Sequence, residues 1–127
     1  MVVIRRQLKL LLSILVRREL MPNRGLYFNE YQLAANSTAS YKDPSFPEYA
    51  VPEEVGELMH EFAIVKRKGV ELNVENVKGE IGDVLWGLSQ LARECGLTLE
   101  ECAEHNMKKL AKRLEEGTIH DKENRDE

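Results

Sequence analysis

The chain has 127 residues, 43% of them hydrophobic and 31% charged, with 18 lysine and arginine residues against 22 aspartate and glutamate residues. This length fits one domain, and the apolar content excludes a largely disordered chain. The net charge of −4 argues against stable binding of nucleic acid, since proteins dedicated to that task usually carry a positive excess.

The first 20 residues carry five basic side chains and one acidic side chain, so the rest of the chain has a net charge of −8. Their apolar side chains recur at helical spacing, at Ile4, Leu8, Leu11 and Leu15. This pattern predicts an amphipathic N-terminal helix. Three roles stay open for this helix: it covers a subunit surface, it contacts an anionic membrane, or it is an extension without a function. Its uncharged run is too short to span a bilayer.

Charged residues stand where a signal peptide would be cleaved, so we expect neither secretion nor a transmembrane segment. The chain has two cysteines, Cys95 and Cys102, in a strongly charged sequence. This usage indicates reduced thiols and no disulfide framework. We therefore expect a cytoplasmic protein.

The next helix is predicted from Asn29 to about Tyr41, and three prolines in residues 42–52 predict a loop after it. Pro52 fits the first turn of the following helix, because a proline there costs no hydrogen bond. Gly69 fits the C-terminal cap of that helix, since glycine readily adopts a left-handed conformation.

Asn73 is a candidate cap for the following helix, which we expect to end at Gly96. Thr98 and Glu101 form a capping-box pattern, so the last helix begins there and runs to about Glu116. The sequence has no run that alternates between apolar and polar residues, and we therefore expect no sheet.

The predicted fold is all-α. A four-helix core bundle forms a domain of residues 28–117, preceded by the extension of residues 1–20 and followed by a polar tail of residues 118–127. Two apolar stripes are expected to form its core, Val55, Leu58, Met59, Phe62 and Val65 on one helix and Val77, Ile81, Val84, Leu88, Leu91 and Cys95 on the next. A chain this short often gains stability by oligomerising.

Two pairs of acidic residues border these stripes. Glu54 and Glu57 are three residues apart, and Glu80 and Asp83 repeat the spacing on the next helix, so each pair shares one helix face. The connection between the helices is short, which makes them antiparallel neighbours and allows the pairs to face each other. Four such carboxylates repel unless a cation compensates them, and oxygen ligands favour Mg²⁺ or Mn²⁺ over zinc. Mg²⁺ held in this way commonly binds substrate phosphates.

Other interpretations of this acidic pattern stay open. The same spacing occurs on solvated helix faces, and the chain is then a non-catalytic helical interaction protein. A nucleotide sensor would bind the ligand without hydrolysing it. A di-iron bundle needs two Glu-x-x-His units, and the chain has only Glu57-x-x-His60.

The last predicted helix carries Asn106, Lys109 and Arg113 on one face. The two cations can neutralise a triphosphate, Arg113 through bidentate hydrogen bonds and Lys109 as a point charge. The alternative is a basic helix end that complements the helix dipole. Asn106 is flanked by Ala103 and Leu110, on the side that we expect to face inward.

Three segments resemble successive motifs of the MazG-like nucleoside triphosphate pyrophosphohydrolases. They are Glu54-Val-Gly-Glu57, Glu80-Ile-Gly-Asp83-Val-Leu-Trp86 and Asn106-Met-Lys-Lys109-Leu110. Asn29-Glu-Tyr-Gln32 is similar to the start of the family's first helix, and Arg113 with Gly117-Thr-Ile-His120 and Asn124-Arg125 is similar to its tail. The resemblance covers about residues 28–125 and leaves the N-terminal extension outside.

The resemblance implies an all-α homodimer or homotetramer that converts a nucleoside triphosphate, of the deoxynucleoside kind, and water into the monophosphate and pyrophosphate. It also implies Mg²⁺ ligands at Glu54, Glu57, Glu80 and Asp83. We expect the catalytic residues to be Glu57, as shared ligand and base, and Glu54. We expect the substrate-binding residues to be Asn106, Lys109, Arg113 and Gln32.

The base is expected to face Gln32 or Tyr31 on the first helix of the domain. Trp86 either stacks on the base or, as we favour, packs in a subunit interface. Neither the preferred base nor the sugar follows from the sequence.

Overall fold

A computed structural model describes the backbone of residues 2–20 and 27–118 and the side chains of residues 4–17 and 27–118. Within these ranges the protein has five α-helices and no strand, which confirms the all-α prediction. The helices are α1 (Val2–Leu20), α2 (Phe28–Thr38), α3 (Phe46–Lys68), α4 (Val74–Glu94) and α5 (Leu99–Glu115). Within the described part of the chain, none of them is long and apolar enough to cross a membrane.

The predicted N-terminal helix is present as α1, which packs against α2. The Gln7 side-chain amide donates a hydrogen bond to the backbone carbonyl of Ser37 on α2. Leu11 and Ile14 are half-buried on the side of α1 that lines a pocket with α2 and α4. The helix also leaves an apolar stripe exposed, formed by Ile4, Leu8, Leu12, Leu15 and Val16. The structure therefore covers only part of the predicted apolar face.

Helix α2 ends at Thr38, three residues before the predicted end at Tyr41. The hydroxyl groups of Ser37 and Thr38 donate to the backbone carbonyls of Ala34 and Ala35, at 2.6 and 2.7 Å. Serine and threonine hydroxyls compete in this way for backbone partners and weaken a helix end. The chain then becomes extended at the next residue, whose ψ is 122°.

The predicted loop over residues 42–52 is wrong from Phe46 onward, because α3 begins there. Pro47 lies in the first helical turn, where its missing N–H leaves no helical carbonyl without a partner. Pro52 lies six residues inside the helix and not at its start, so the carbonyl of Glu48 loses its helical donor. The helix continues through Pro52 because packing of α3 along α4 outweighs the local preference.

The helix ends that were predicted from capping residues are confirmed at three positions. Gly69 has a φ of 63° after α3, and its N–H donates to the carbonyl of Val65. The Asn73 side chain accepts from the N–H of Asn76, at 3.1 Å, and begins α4. Thr98 forms the reciprocal capping box with Glu101 at the start of α5.

Helices α3 and α4 pack antiparallel to each other. Asn76, near the start of α4, contacts Glu61 near the end of α3. At the other end, a Cβ atom added to Gly87 of α4 would lie 3.0 Å from Cγ2 of Val51, in the first turns of α3. The lack of a side chain at Gly87 therefore allows the two helices to approach closely.

The protomer core is small and partly polar. Among the described residues, the buried apolar side chains are Ala34, Ala35, Pro47, Ala50, Ala92 and Leu99, and the buried polar side chains are Gln32, Ser89 and Gln90. The predicted core stripes of α3 and α4 are largely exposed instead: Met59 is 51% exposed and Ile81 52%. The prediction was wrong because small and amide residues take the buried positions of α4, which permits close helix packing. The large apolar side chains of α4 are half-buried, as at Val84 and Leu91, or exposed, as at Ile81 and Leu88.

Candidate metal centre

The antiparallel pair α3 and α4 brings three of the four predicted metal ligands together. Glu54 and Glu57 lie one turn apart on α3, and Glu80 lies opposite on α4. Each of them offers a carboxylate oxygen, and these three atoms all lie within 4.8 Å of one another. We call these three residues the carboxylate cluster.

Asp83 lies beside the carboxylate cluster but outside this 4.8 Å group. Its side chain is exposed on α4, one turn beyond Glu80. Its negative charge nevertheless raises the pKa of both Glu54 and Glu80. The fourth predicted ligand is thus close enough to act on the cluster electrostatically.

The cluster is an unfavourable place for negative charge when no cation is bound. Burial is the largest cause that raises the pKa of Glu54, followed by the charges of the neighbouring carboxylates. The pKa of Glu80 is raised by the same two causes in the same order, with Glu57 as its strongest charged neighbour. Across the described ranges, no lysine or arginine side chain forms an ion pair with these carboxylates.

A divalent cation fits this set of atoms. Over the residues that the structure describes, Oε2 of Glu80 is buried and has no hydrogen-bond partner. A buried carboxylate oxygen without a partner is costly, and a bound cation would remove that cost. The ligands are all hard oxygen atoms, the type that Mg²⁺ and Mn²⁺ prefer. Glu54, Glu57 and Glu80 are the residues that would hold the ion.

The predicted phosphate-binding residues lie elsewhere in the protomer. Asn106 and Lys109 are exposed on α5, where they line a surface cavity of about 510 Å³, and Arg113 is half-buried further along. Within the described residues, α5 packs against α2 and α4 and makes no contact with α3. The expectation that Asn106 faces inward is wrong, because Asn106 is exposed and the buried residue of α5 is Leu99, at its first position. The tail positions from His120 onward lie outside the described residues.

Gln32 lies in the core, 5% exposed, and its amide joins three elements. Its Nε2 donates to the carbonyls of Ser89, at 3.0 Å, and Leu97, at 3.3 Å. Its Oε1 accepts from the N–H of Leu99, at 2.9 Å. These bonds hold α2 to the connection between α4 and α5 and give the residue a structural role. Its contact with substrate stays a prediction.

Tyr31 and Trp86 are half-buried near the carboxylates. The pKa of Tyr31 is raised first by burial and then by the charge of Asp83. The indole N–H of Trp86 donates to Oγ1 of Thr38, at 2.9 Å, and the Tyr41 ring contacts Trp86 edge-on, with the ring centroids 6.5 Å apart. Sequence reasoning missed Thr38 and Tyr41, since both lie more than 40 positions before the tryptophan and share no motif with it.

Comparison with known proteins agrees with this geometry. Residues 48–118, more than half of the chain, match the family model of the MazG nucleotide pyrophosphohydrolase domain. The Gene 37 protein of Mycobacterium phage L5 is 28% identical over 107 residues, which cover 74% of this chain and 94% of that protein. No solved structure gives a significant match. The family match spans all four acidic positions and α5, and the chain therefore belongs to the MazG nucleotide pyrophosphohydrolase domain family.

Proposed function

We propose that this protein is a Mg²⁺-dependent enzyme that hydrolyses a deoxynucleoside triphosphate to the monophosphate and pyrophosphate. One observation carries the proposal. Three carboxylate oxygens from two helices converge within 4.8 Å of one another, with a buried and unpartnered oxygen on Glu80, inside a MazG domain. On a solvated acidic face, each carboxylate oxygen would instead be exposed to water.

The residues of the carboxylate cluster differ in exposure, and this difference suits them to different roles. When bound, Mg²⁺ or Mn²⁺ would neutralise phosphate charge and stabilise the charge that develops during the reaction. Glu54 and Glu80 are half-buried and would hold the ion, with Asp83 beside them. Glu57 is exposed in the groove and would also take the proton from the attacking water. The water oxygen would bond to the α- or β-phosphorus, the bond between that phosphorus and the bridging oxygen would break, and the monophosphate and pyrophosphate would be released.

A second copy of the chain would complete the site. Asn106, Lys109 and Arg113 are the residues proposed to bind the phosphates and sugar, yet α5 does not reach α3 within the described protomer. The apolar stripes of α3 and α4 are partly exposed on a single protomer, with Met59 and Ile81 about half exposed, which favours their burial between subunits. A homodimer or homotetramer would bury these stripes and bring one subunit's cations to the other's carboxylates.

The direct test is pyrophosphate release from a panel of deoxynucleoside triphosphates with Mg²⁺. We expect the wild-type protein to split at least one of them, and Glu57→Gln and Asp83→Asn to abolish the reaction. Glu104→Gln is the control, since Glu104 is exposed on α5 and lies outside the carboxylate cluster. A folded wild-type protein that binds the nucleotides but releases no pyrophosphate would refute the proposal and identify a nucleotide sensor.

Subunit mixing tests the shared site separately. The Glu57→Gln protein is expected to be inactive, and the Lys109→Ala protein is expected to be weakly active. When the two are unfolded and refolded together, half of the dimers carry one intact site, so about a quarter of the wild-type activity should return. If both sets of residues act within one protomer, mixing restores nothing.

A further inference from the structure

An apolar pocket of about 220 Å³ lies between α1, α2 and α4. On one side it is lined by Leu11, Ile14 and Leu15 of α1. On the other side it is lined by Tyr31 of α2 and Trp86 of α4, with Thr38 of α2 between them. Helix α1 therefore forms one wall of this pocket.

The pocket has the size and chemistry for a flat heteroaromatic ring. Its volume exceeds the ~150 Å³ of an apolar protein cavity that takes up benzene. Tyr31 and Trp86 offer aromatic surfaces for stacking, while the aliphatic side chains of α1 face them from the other wall. The lining is almost entirely apolar, and the Thr38 hydroxyl is already bonded to the Ala35 carbonyl and the Trp86 indole, so stacking and apolar contacts would hold the ring.

The pocket lies beside the carboxylates. Asp83 and Trp86 are three residues apart on α4, so they share one face and are separated by about one helical turn, or ~5 Å. Tyr31, on the other side of the pocket, is close enough to Asp83 for that charge to raise its pKa. A ligand with phosphates at the carboxylates would thus extend its other end toward the pocket.

We infer that α1 is a wall of the pocket for the nucleobase and limits the size of the base that the protein accepts. The inference rests on the proposed function, and it gives the N-terminal extension a role in substrate selection. Helix α1 lies outside the residues 48–118 that match the family model, so the match itself assigns nothing to it. The contribution comes from Leu11, Ile14 and Leu15.

Trp86 provides a direct probe because it is the only tryptophan in the chain. Deoxycytidine and deoxyadenosine, which carry no phosphate and need no metal, are titrated into the full-length protein while tryptophan fluorescence is recorded. We expect a nucleoside to change the fluorescence of Trp86 on binding. Leu11→Ala should weaken this binding about tenfold, since it removes apolar surface from the wall. Leu12→Ala is the matched control on the exposed side of α1 and should bind like the wild type.

A second variant keeps the inference testable if Leu11→Ala loosens α1. Ile14→Phe adds volume to the pocket wall without removing apolar surface. It should weaken deoxyadenosine binding more than deoxycytidine binding, and it should lower the rate with purine triphosphates relative to pyrimidine triphosphates. Circular dichroism of each variant verifies that the helices are retained.

The possible outcomes separate this inference from the proposed function. In one outcome, the wild type, Leu11→Ala and Ile14→Phe proteins all release pyrophosphate with the same ratio of purine to pyrimidine rates. That result would support the proposed hydrolysis and overturn the role of α1. Nucleosides that leave the Trp86 fluorescence of the wild type unchanged would overturn it as well. A nucleoside response that depends on Leu11 and Ile14, in a protein that releases no pyrophosphate, would support the pocket and refute the hydrolysis.

Discussion

Magnesium should stabilise the folded protein through the carboxylate cluster, and the size of the effect can be calculated. A ligand that binds only the native state adds about 2.7 kcal/mol to the free energy of unfolding at 100 times its Kd. For a chain of 127 residues, about 4 °C per kcal/mol gives an increase in Tm of about 10 °C. Thermal unfolding followed by circular dichroism, with and without MgCl₂, measures this shift.

Glu57→Gln should separate the repulsion between the carboxylates, which acts without metal, from their binding of Mg²⁺. Without metal, its Tm should equal or exceed that of the wild type, because the charge of Glu57 raises the pKa of both Glu54 and Glu80. With metal, a Kd weakened about 100-fold leaves only about 0.4 kcal/mol of stabilisation at the same Mg²⁺ concentration, or about 2 °C. Glu104→Gln, outside the cluster, should keep the full shift.

General screening of an acidic protein is the competing explanation, and salt distinguishes it. Sodium chloride at the same ionic strength screens exposed charges without occupying a site. If it raises the Tm of the wild type as much as Mg²⁺ does, or if Glu57→Gln keeps the full Mg²⁺ shift, the carboxylate cluster is a solvated face and our reasoning about it is wrong.

Three further predictions concern stability. Glu54 and Glu80 have raised pKa values, so they bind protons more tightly in the folded state than in the unfolded state. The free energy of unfolding of the metal-free protein, measured in urea, should therefore fall as the pH rises from 4.5 through those pKa values. The stabilisation by Mg²⁺ should grow over the same pH range, because the ion binds the deprotonated carboxylates. Gln32→Leu should lower the unfolding free energy by about 3 kcal/mol, because the buried partners of its amide lose their bonds, whereas Leu33→Ala at an exposed position should change it by less than about 0.5 kcal/mol. Gly79→Ala should raise the free energy of unfolding by about 0.5–1 kcal/mol, because a Cβ atom there meets no other atom within 4 Å and alanine favours the helix. Gly87→Ala should lower the free energy of unfolding by about 1 kcal/mol, because its Cβ atom would press against Val51.

Each of these predictions has an opposing result. Metal-free protein that gains stability with rising pH would show that the cluster carboxyls are not strained by their charge. A Gln32→Leu protein as stable as Leu33→Ala would show that its three hydrogen bonds contribute little. If Gly87→Ala stabilises as much as Gly79→Ala, α3 and α4 are not in tight contact at Val51.

Local signals in the sequence predicted the helix ends well. Gly69, Asn73 and Thr98 each satisfy backbone groups within a few residues, so their effect depends on little beyond neighbouring positions. The acidic spacing also predicted three of the four carboxylates that meet, because a short connection leaves two helices few ways to pack, whereas Asp83 lies outside the group. Glu54, Glu57 and Glu80 meet for that reason.

Features that depend on tertiary packing were not predictable in the same way. Pro52 is inside α3 because packing along α4 outweighs a missing hydrogen bond, a balance that no local pattern reveals. The apolar stripes of α3 and α4 have helical periodicity, but periodicity does not tell whether the covering surface belongs to the same chain. The polar contacts of Gln32 likewise depend on where α2 meets the connection after α4.

The net charge of −4 is a poor guide to what this protein binds, because it sums local groups of opposite charge that lie in different parts of the molecule. The carboxylates of the cluster meet between α3 and α4, whereas α1 has exposed cations, Arg5, Arg6, Lys9 and Arg17, and no acidic residue among residues 4–17. A triphosphate responds to the local field and not to the sum, since screening limits each charge to about 10 Å. Acidic residues that hold a divalent cation attract phosphate, so an acidic domain and an anionic substrate are compatible here.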